Sequence, residues 1–204
     1  MVYKGLLIIV SGPSGAGKGT ICKELINRDN SIIVSVSATT RHPRNAEVDG
    51  ISYHFLSRDK FEEMIANDGF LEHACVYDNY YGTPKDFVVE KITQGKNVLL
   101  EIDIQGALQV KKRYPEGIFV FILPPSMDTL KNRIVGRGSE TPESLKKRLS
   151  CAVNEIELIK NYDYFIINDT VATATDTLQA IITAEKCRVD ADIEDIVRKF
   201  KEEK

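Results

Sequence analysis

The sequence predicts an α/β fold in which a parallel central sheet carries helices on both faces. Short apolar runs rich in β-branched residues recur along the chain, which is typical of strands buried on both faces. These runs are Leu6–Val10, Val98–Ile102, Ile118–Leu123 and Tyr164–Ile167. The segments between them carry helix boundaries and helical periodicity, and strands that alternate with helices indicate a parallel core.

Several of the intervening segments begin and end as helices do. Thr83 and Pro84, followed by Gly95, predict an N-cap, a proline in the first turn and a C-terminal glycine. Residues 143–160 predict one long amphipathic helix, with an apolar stripe of Leu145, Leu149, Ala152, Val153, Ile156 and Ile159. Two further helix starts are predicted at Ser126 and at Thr141-Pro142.

Two polar segments interrupt this pattern and divide the chain into a core and two inserted parts. Residues 34–95 contain short alternating patterns broken by prolines and glycines, which predict a small lobe with its own sheet. Residues 126–149 are dense in Arg and Lys and are interrupted by Gly136 and Gly138, which suits a mobile lid. The core would then consist of residues 1–33, 96–125 and 150–204.

Charge and cysteine usage exclude several classes of protein. A net charge of -3 argues against nucleic acid as a partner. Any anionic substrate must therefore be held by local clusters of Arg and Lys. The scattered cysteines form no C-x-x-C pair, so we expect buried or semi-buried thiols in a reducing compartment instead of disulfides or zinc sites. No apolar run is long enough for a signal peptide or membrane span, which predicts a cytoplasmic protein without a membrane partner. The cysteines are Cys22, Cys75, Cys151 and Cys187.

A glycine-rich loop follows the first predicted strand and leads into a helical pattern, which is the context of the Walker A motif. The backbone N–H groups of such a loop surround a phosphate, and Lys18 supplies a positive charge. The fold class is therefore the three-layer P-loop NTPase fold, with the lobe and lid inserted. The predicted phosphate-binding residues are Gly12, Pro13, Ser14, Gly15, Ala16, Gly17, Lys18, Gly19 and Thr20.

The loop departs from the strict motif at one position. Gly19 stands where a hydroxyl residue usually ligates Mg²⁺, and the hydroxyl is displaced to Thr20. Thr20 either ligates Mg²⁺ or only contacts phosphate, and no residue is a firm protein ligand. We expect Mg²⁺ to bind together with ATP. Because adenylate kinases also carry Gly-Lys-Gly-Thr here, the loop leaves the phosphoryl acceptor open.

A second motif, between residues 39 and 55, points to the acceptor. Arg41 and Arg44 can each grip a phosphate bidentately, and Tyr53 adds a hydroxyl. The whole string resembles the guanylate kinase signature T-[ST]-R-x-x-[KR]-x-x-[DE]-x-x-[GA]-x-x-Y-x-[FY] and matches it at every fixed position. Similar motifs at residues 70–74, 79–83, 101–106 and 168–169 extend the resemblance over residues 12–169.

The resemblance implies a kinase that transfers the γ-phosphoryl group of ATP to GMP, with dGMP as a candidate second acceptor. It implies that Arg41, Arg44, Tyr53 and Tyr81 hold the GMP phosphate. It also implies that Ser37, Glu72, Thr83 and Asp103 bind the guanine. Carboxylates suit guanine because its N1–H and N2–H₂ groups are donors. Asn168 is a candidate nucleotide contact.

Basic residues of the predicted lid complete the expected site. Arg133 and Arg137 are four residues apart and would share one face of a helix, while Arg148 follows on the next helix. The resemblance implies that these arginines, with Lys18, act on the transferred group. The attacking phosphate oxygen is already anionic, so no general base is needed, and His42, His54 and His73 are expected to be structural or surface residues.

The sequence leaves other functions open. Guanylate-kinase-like domains of scaffold proteins bind peptides, usually with a degraded phosphate loop, whereas this loop is intact. A P-loop kinase acting on a ribose bisphosphate is a second alternative, against which Glu72, Thr83 and Asp103 argue. A GTPase is disfavoured because no N-K-x-D motif is present. Oligomeric state is also open, and the amphipathic stretch Ile193–Phe200 is compatible with a homo-oligomer.

Overall fold

The computed structural model describes residues 5–76, 78–136, 142–189 and 193–202. Its central sheet contains five parallel strands in the order β2-β7-β1-β8-β9. The inner strands are almost entirely apolar and buried, as expected for strands covered on both faces. The strands are β1 (Leu7–Ser11), β2 (Ile32–Val34), β7 (Asn97–Glu101), β8 (Ile118–Leu123) and β9 (Tyr164–Ile167).

Helices cover both faces of this sheet and form two hydrophobic clusters. On one face, α1 (Lys18–Arg28) and α7 (Val171–Glu185) pack against the side chains of alternate strand residues such as Ile8 and Val120. On the other face, α3 (Lys85–Thr93) and α4 (Ile104–Arg113) pack against the intervening residues. The three-layer α/β prediction is therefore confirmed.

A second, four-stranded sheet stands apart from the first, in the order β4-β3-β6-β5. Its cluster centres on Phe61 of α2, whose ring stacks on Phe70 at 4.3 Å between ring centres. We call this sheet and its helix the small lobe. Its elements are β3 (Ala38–Thr39), β4 (His54–Phe55), α2 (Arg58–Ala66), β5 (Phe70–Val76) and β6 (Asn79–Pro84).

The remaining helices follow β8 and β9. Leu130 and Ile134 of α5 (Met127–Val135) pack against Ala152 of α6 (Pro142–Ile156), and residues 137–141 lie outside the described part. Helix α8 (Ile193–Glu202) follows α7. No helix among the described residues is long and apolar enough to cross a membrane.

Three local predictions were wrong. Thr83 and Pro84 end β6, and α3 starts only at Lys85, because the Thr83 hydroxyl bonds to Glu72 and caps no helix. The helix predicted over residues 143–160 ends at Ile156 and continues as a 3-10 helix, Glu157–Asn161. Only Cys22 is buried among the cysteines; the other three are exposed. Ser126 does cap α5, where its hydroxyl accepts from Thr129 N–H.

Candidate active site

The phosphate loop joins β1 to α1 through glycines in the left-handed region. Gly12, Gly15 and Gly17 have φ values of 143°, 95° and 94°, which L side chains rarely adopt. A β-carbon on Gly17 would also lie 2.2 Å from Nδ2 of Asn168. Gly17 is the N-cap of α1 and offers no side chain to the first-turn N–H groups. These groups therefore suit an anionic ligand.

Lys18 is the first residue of α1, and its side chain extends back over the loop. Its Nζ donates to the carbonyl oxygens of Gly12 at 2.7 Å and of Pro13 at 3.2 Å. Burial lowers the pKa of Lys18, and the charges of Glu101, Glu155 and Asp103 oppose this shift. A phosphate that replaced the two carbonyl oxygens would stabilise the ammonium further.

Arg133 and Asn168 support the loop from the other side. Arg133 donates from Nη1 to Ala16 O at 3.2 Å and from Nη2 to Asn168 O at 2.9 Å. Asn168 Nδ2 also donates to Ala16 O, at 2.7 Å. The structure thus places the predicted Arg133 and Asn168 at the phosphate loop. Arg148 lies exposed on α6, and Arg137 lies outside the described residues.

In the small lobe, Arg41 is held by charge and by aromatic rings. Its two Nη atoms donate to the Glu47 carboxylate at 3.0 Å and 2.9 Å. Its guanidinium lies 5.5 Å from the centre of the Tyr53 ring, which meets Tyr81 edge-on at 6.1 Å. Three predicted phosphate ligands are therefore neighbours. The fourth, Arg44, is exposed, and its backbone N–H donates to Glu47 at 2.7 Å.

A cavity of about 270 Å³ lies between the small lobe and the carboxyl end of β7. Five predicted GMP ligands line it: Ser37, Tyr53, Glu72, Tyr81 and Asp103. Ala74, Val76, Gly82, Glu101 and Ile102 complete the lining. The cavity thus joins the carboxylate end of the predicted site to the tyrosines that stand beside Arg41.

Glu72 is the most perturbed carboxyl group of this cavity. Its side chain is buried, with only 7% of the residue exposed, and accepts a 2.7 Å hydrogen bond from Thr83 Oγ1. Burial raises the pKa of Glu72 to about 7; the Thr83 hydrogen bond opposes this shift, and the Asp103 charge adds to it. Asp103 is itself the N-cap of α4, where its carboxylate accepts from Gly106 N–H at 2.8 Å.

Residues without a predicted role also belong to the site. Glu47 fixes Arg41, and the only sequence signal for it was its fixed place in the 39–55 motif. Glu101 ends β7, and its Oε1 would lie 3.1 Å from a β-carbon on Gly19. A β-carbon at position 19 would therefore require the Glu101 carboxylate to move by a few tenths of an ångström. Glu155 on α6 was not predicted, because no periodicity or motif rule marks it. Its charge raises the pKa of Lys18 and so opposes the effect of burial.

One part of this site suits the phosphates of a nucleotide, and the other suits a base together with its own phosphate. This pairing defines the class of P-loop nucleoside-monophosphate kinases. The chain belongs to the guanylate kinase family, because the family model for guanylate kinase matches residues 4–185.

Curated relatives and solved structures agree with this membership. The guanylate kinase of Clostridioides difficile (strain 630) is 57% identical over 202 residues, covering 99% of this chain and 98% of the relative. That of Clostridium acetobutylicum is 62% identical over 190 residues, covering 93% and 90%. The crystal structure of guanylate kinase from Anaplasma phagocytophilum superposes with a TM-score of 0.75 at 31% identity, covering 92% of this chain and 89% of that one. The predicted family, fold class and enzyme class are confirmed.

Proposed function

We propose that this chain transfers the γ-phosphoryl group of ATP to GMP, giving ADP and GDP, through the residues described above. One observation carries the assignment of roles. The cavity that ends on Glu72 and Asp103 is also lined by Tyr53 and Tyr81, the neighbours of Arg41. A single nucleoside monophosphate can therefore place its base on the carboxylates and its phosphate on Arg41.

The carboxylate end of the cavity selects guanine. The carboxylate oxygens of Glu72 and Asp103 are acceptors, and the Watson–Crick edge of guanine offers N1–H and N2–H₂ donors. Adenine has an acceptor at N1, whose lone pair would face a carboxylate oxygen. Thr83 acts through Glu72, because its hydroxyl is buried and donates to that carboxylate. Ser37 lines the same cavity and adds a hydroxyl.

The other end holds the acceptor phosphate. Arg41 is oriented by Glu47, so its guanidinium needs little reorganisation to bind a phosphate. Tyr53 and Tyr81 add hydroxyl donors, and Arg44 adds a second guanidinium on the exposed side. These contacts depend on phosphate alone and are shared by all nucleoside monophosphates.

The ATP phosphates bind at the loop of residues 12–20. Lys18, Arg133, Arg137 and Arg148 neutralise the charge of the transferred group, and Asn168 supports the nucleotide side of the loop. In this proposal residues 34–95 close over GMP and residues 126–149 over ATP, while the remainder forms the rigid core. Closure excludes water, which would otherwise hydrolyse ATP.

The residues beside Lys18 fit a Mg²⁺ ion that enters with ATP. Mg²⁺ prefers oxygen ligands, keeps several waters and is usually held by one or two protein groups together with substrate phosphates. Thr20 is exposed in the first turn of α1, and the Glu101 carboxylate stands next to Gly19. These two groups would hold the hydrated ion. When bound, Mg²⁺ neutralises phosphate charge and orients the triphosphate.

The chemistry requires positioning more than proton transfer. The nucleophile is a phosphate oxygen of GMP that is anionic at neutral pH, so the chain needs to align it with the γ-phosphorus and stabilise the developing charge. Lys18 and the arginines supply this stabilisation. The intact loop and the carboxylate pair favour this reaction over peptide binding or a ribose bisphosphate acceptor.

A coupled assay of ATP consumption with GMP, dGMP, AMP, CMP and UMP tests the proposal. We expect GMP to give the highest kcat/KM and AMP a value lower by about 10⁴, the scale on which a hydrogen-bonding site rejects an analogue without the matching donors. ATP turnover without acceptor should be negligible. Equal use of AMP and GMP would contradict the assignment, and a lack of turnover with every acceptor would favour the peptide-binding alternative.

A further inference from the structure

One face of α4 runs along β5, the strand that carries Glu72. Gly106, Gln109 and Arg113 recur every three or four residues and therefore share this face. Gln109 and Arg113 both bond to the β5 backbone; Arg113 Nη1 donates to Phe70 O at 2.8 Å. A helix of the core thus fixes the strand that bears the proposed guanine ligand.

Gln109 binds β5 as a neighbouring strand would. Its Nε2 donates to His73 O at 3.1 Å, and its Oε1 accepts from His73 N at 3.3 Å. β5 is an end strand of the small-lobe sheet, so within the described part of the chain its outer N–H and C=O groups have no further strand to pair with. The Gln109 amide takes that place and fixes the residue that follows Glu72.

Gly106 leaves the space that the Glu72 side chain fills. A β-carbon at position 106 would lie 2.7 Å from Glu72 Oε2 and 3.1 Å from its Cδ. Gly106 lies inside α4, and its φ is not positive. Its backbone conformation therefore does not require glycine, and a glycine inside a helix is destabilising relative to alanine. The close approach of Glu72 gives the physical reason for a glycine here.

We propose that Gly106 and Gln109 are positioning residues for base specificity, which set where the Glu72 carboxylate stands in the cavity. This inference rests on the assignment of Glu72 as a guanine ligand made above. The carboxylate is held at Oε1 by Thr83, while Oε2 lies against Gly106. Any side chain at 106 would push the carboxylate away from α4 and disturb the Thr83 bond. The carboxylate would then no longer match the N1–H and N2–H₂ edge.

The experiment measures kcat/KM for GMP and AMP in the full chain carrying Gly106→Ala. Because a shift of about 1 Å can cost up to about 10²-fold, we expect the GMP/AMP ratio to fall by about tenfold or more. The KM for ATP should stay within about twofold, because the atoms nearest to an added β-carbon at position 106 all belong to Glu72. A general structural defect would change both the GMP/AMP ratio and the KM for ATP. The control, Gln105→Ala, alters an exposed neighbour on α4 and should leave the ratio unchanged.

A double-mutant cycle adds a readout specific to the contact. Glu72→Asp shortens the side chain by one methylene, so it relieves the crowding that Gly106→Ala creates. Glu72→Asp should therefore lower GMP use less in the Gly106→Ala background than in the unaltered protein. Such non-additivity is expected for residues that are in contact or directly coupled, and not for distant, independent sites. Strictly additive effects on the ratio would overturn the proposal.

Two further variants distinguish a failure of the positioning role from a failure of the guanine assignment. If Gly106→Ala does not fold, Gln109→Met decides the question, because it keeps the length and removes both bonds to His73. A lowered GMP/AMP ratio supports the proposal, and an unchanged ratio overturns it. Glu72→Gln tests the underlying assignment separately. If Glu72→Gln lowers the ratio and the α4 variants do not, only the positioning role fails; if Glu72→Gln has no effect, the guanine assignment itself fails.

Discussion

The Thr83 hydroxyl donates a 2.7 Å hydrogen bond to the Glu72 carboxylate, and the two residues are direct partners across the β5–β6 pair. Both side chains are buried. The hydroxyl proton is thus committed to the carboxylate, so in the proposed function we expect Thr83 to act on guanine through Glu72. Base recognition would then depend on strand register as well as on the ligand residues themselves.

Thr83→Val should weaken GMP use and shift its pH dependence. Valine keeps the shape but removes the donor that opposes the raised pKa of Glu72, so this pKa rises further. Loss of a hydrogen bond to a charged group costs about 1.5–3 kcal/mol, and we expect the KM for GMP at pH 7 to rise by about tenfold. Thr175→Val is the matched control, since Thr175 is buried in α7 and bonds only the Val171 carbonyl among the described contacts. An identical pH profile in both variants would contradict the prediction.

The affinity for GMP should rise with pH through neutrality. Burial raises the pKa of Glu72 to about 7, so the acceptor form of this carboxyl predominates above pH 7 and is lost below it. Each pH unit below the pKa should weaken GMP binding by about tenfold. The GMP phosphate also titrates, with a pKa of about 6, but Glu72→Gln shares that contribution. Calorimetric Kd values from pH 6 to 8 should therefore converge between the two proteins at low pH.

Lys18→Met should lower turnover by about 10²–10³, the usual cost of one electrostatic contact to the reacting group. Methionine keeps the length of the side chain and removes its charge, so GMP binding in the small lobe should change little. Lys23→Met, an exposed substitution on the same helix, controls for the altered surface charge. Near-normal kcat in Lys18→Met would contradict the role of the phosphate loop.

Much of the site was visible in the sequence because its parts are local. The phosphate loop needs glycines, a lysine and a following helix within one stretch of chain, and all are consecutive at residues 12–20. The Arg41 and Tyr53 pair lies within a single motif. The structure brings Ser37, Glu72 and Asp103 together around one cavity, and their binding of guanine stays a prediction.

The contacts that hold these ligands were not visible, because they join distant residues. The Gln109 bonds to His73 and the space at Gly106 depend on how a core helix lies on a lobe strand. The role of Thr83 depends on the β5–β6 register; from local rules it resembled a helix cap followed by proline. The short strand β2 was not predicted, because three residues are too few to show a strand-like hydrophobic pattern.

Arg41→Ala should impair the use of GMP and AMP by similar factors. Arg41 stands beside Tyr53 and pairs with Glu47, and in the proposed function it contacts only the phosphate that both nucleotides share. A charge-assisted hydrogen bond contributes about 1.5–3 kcal/mol, which predicts a fall of about tenfold to a hundredfold in kcat/KM for each acceptor. Arg58→Ala is the control, since Arg58 lies exposed in the same lobe and pairs with Glu62; it should change neither value. A selective loss of GMP use in Arg41→Ala would mean that Arg41 contacts the base, and the division of the cavity into a guanine end and a phosphate end would then be wrong.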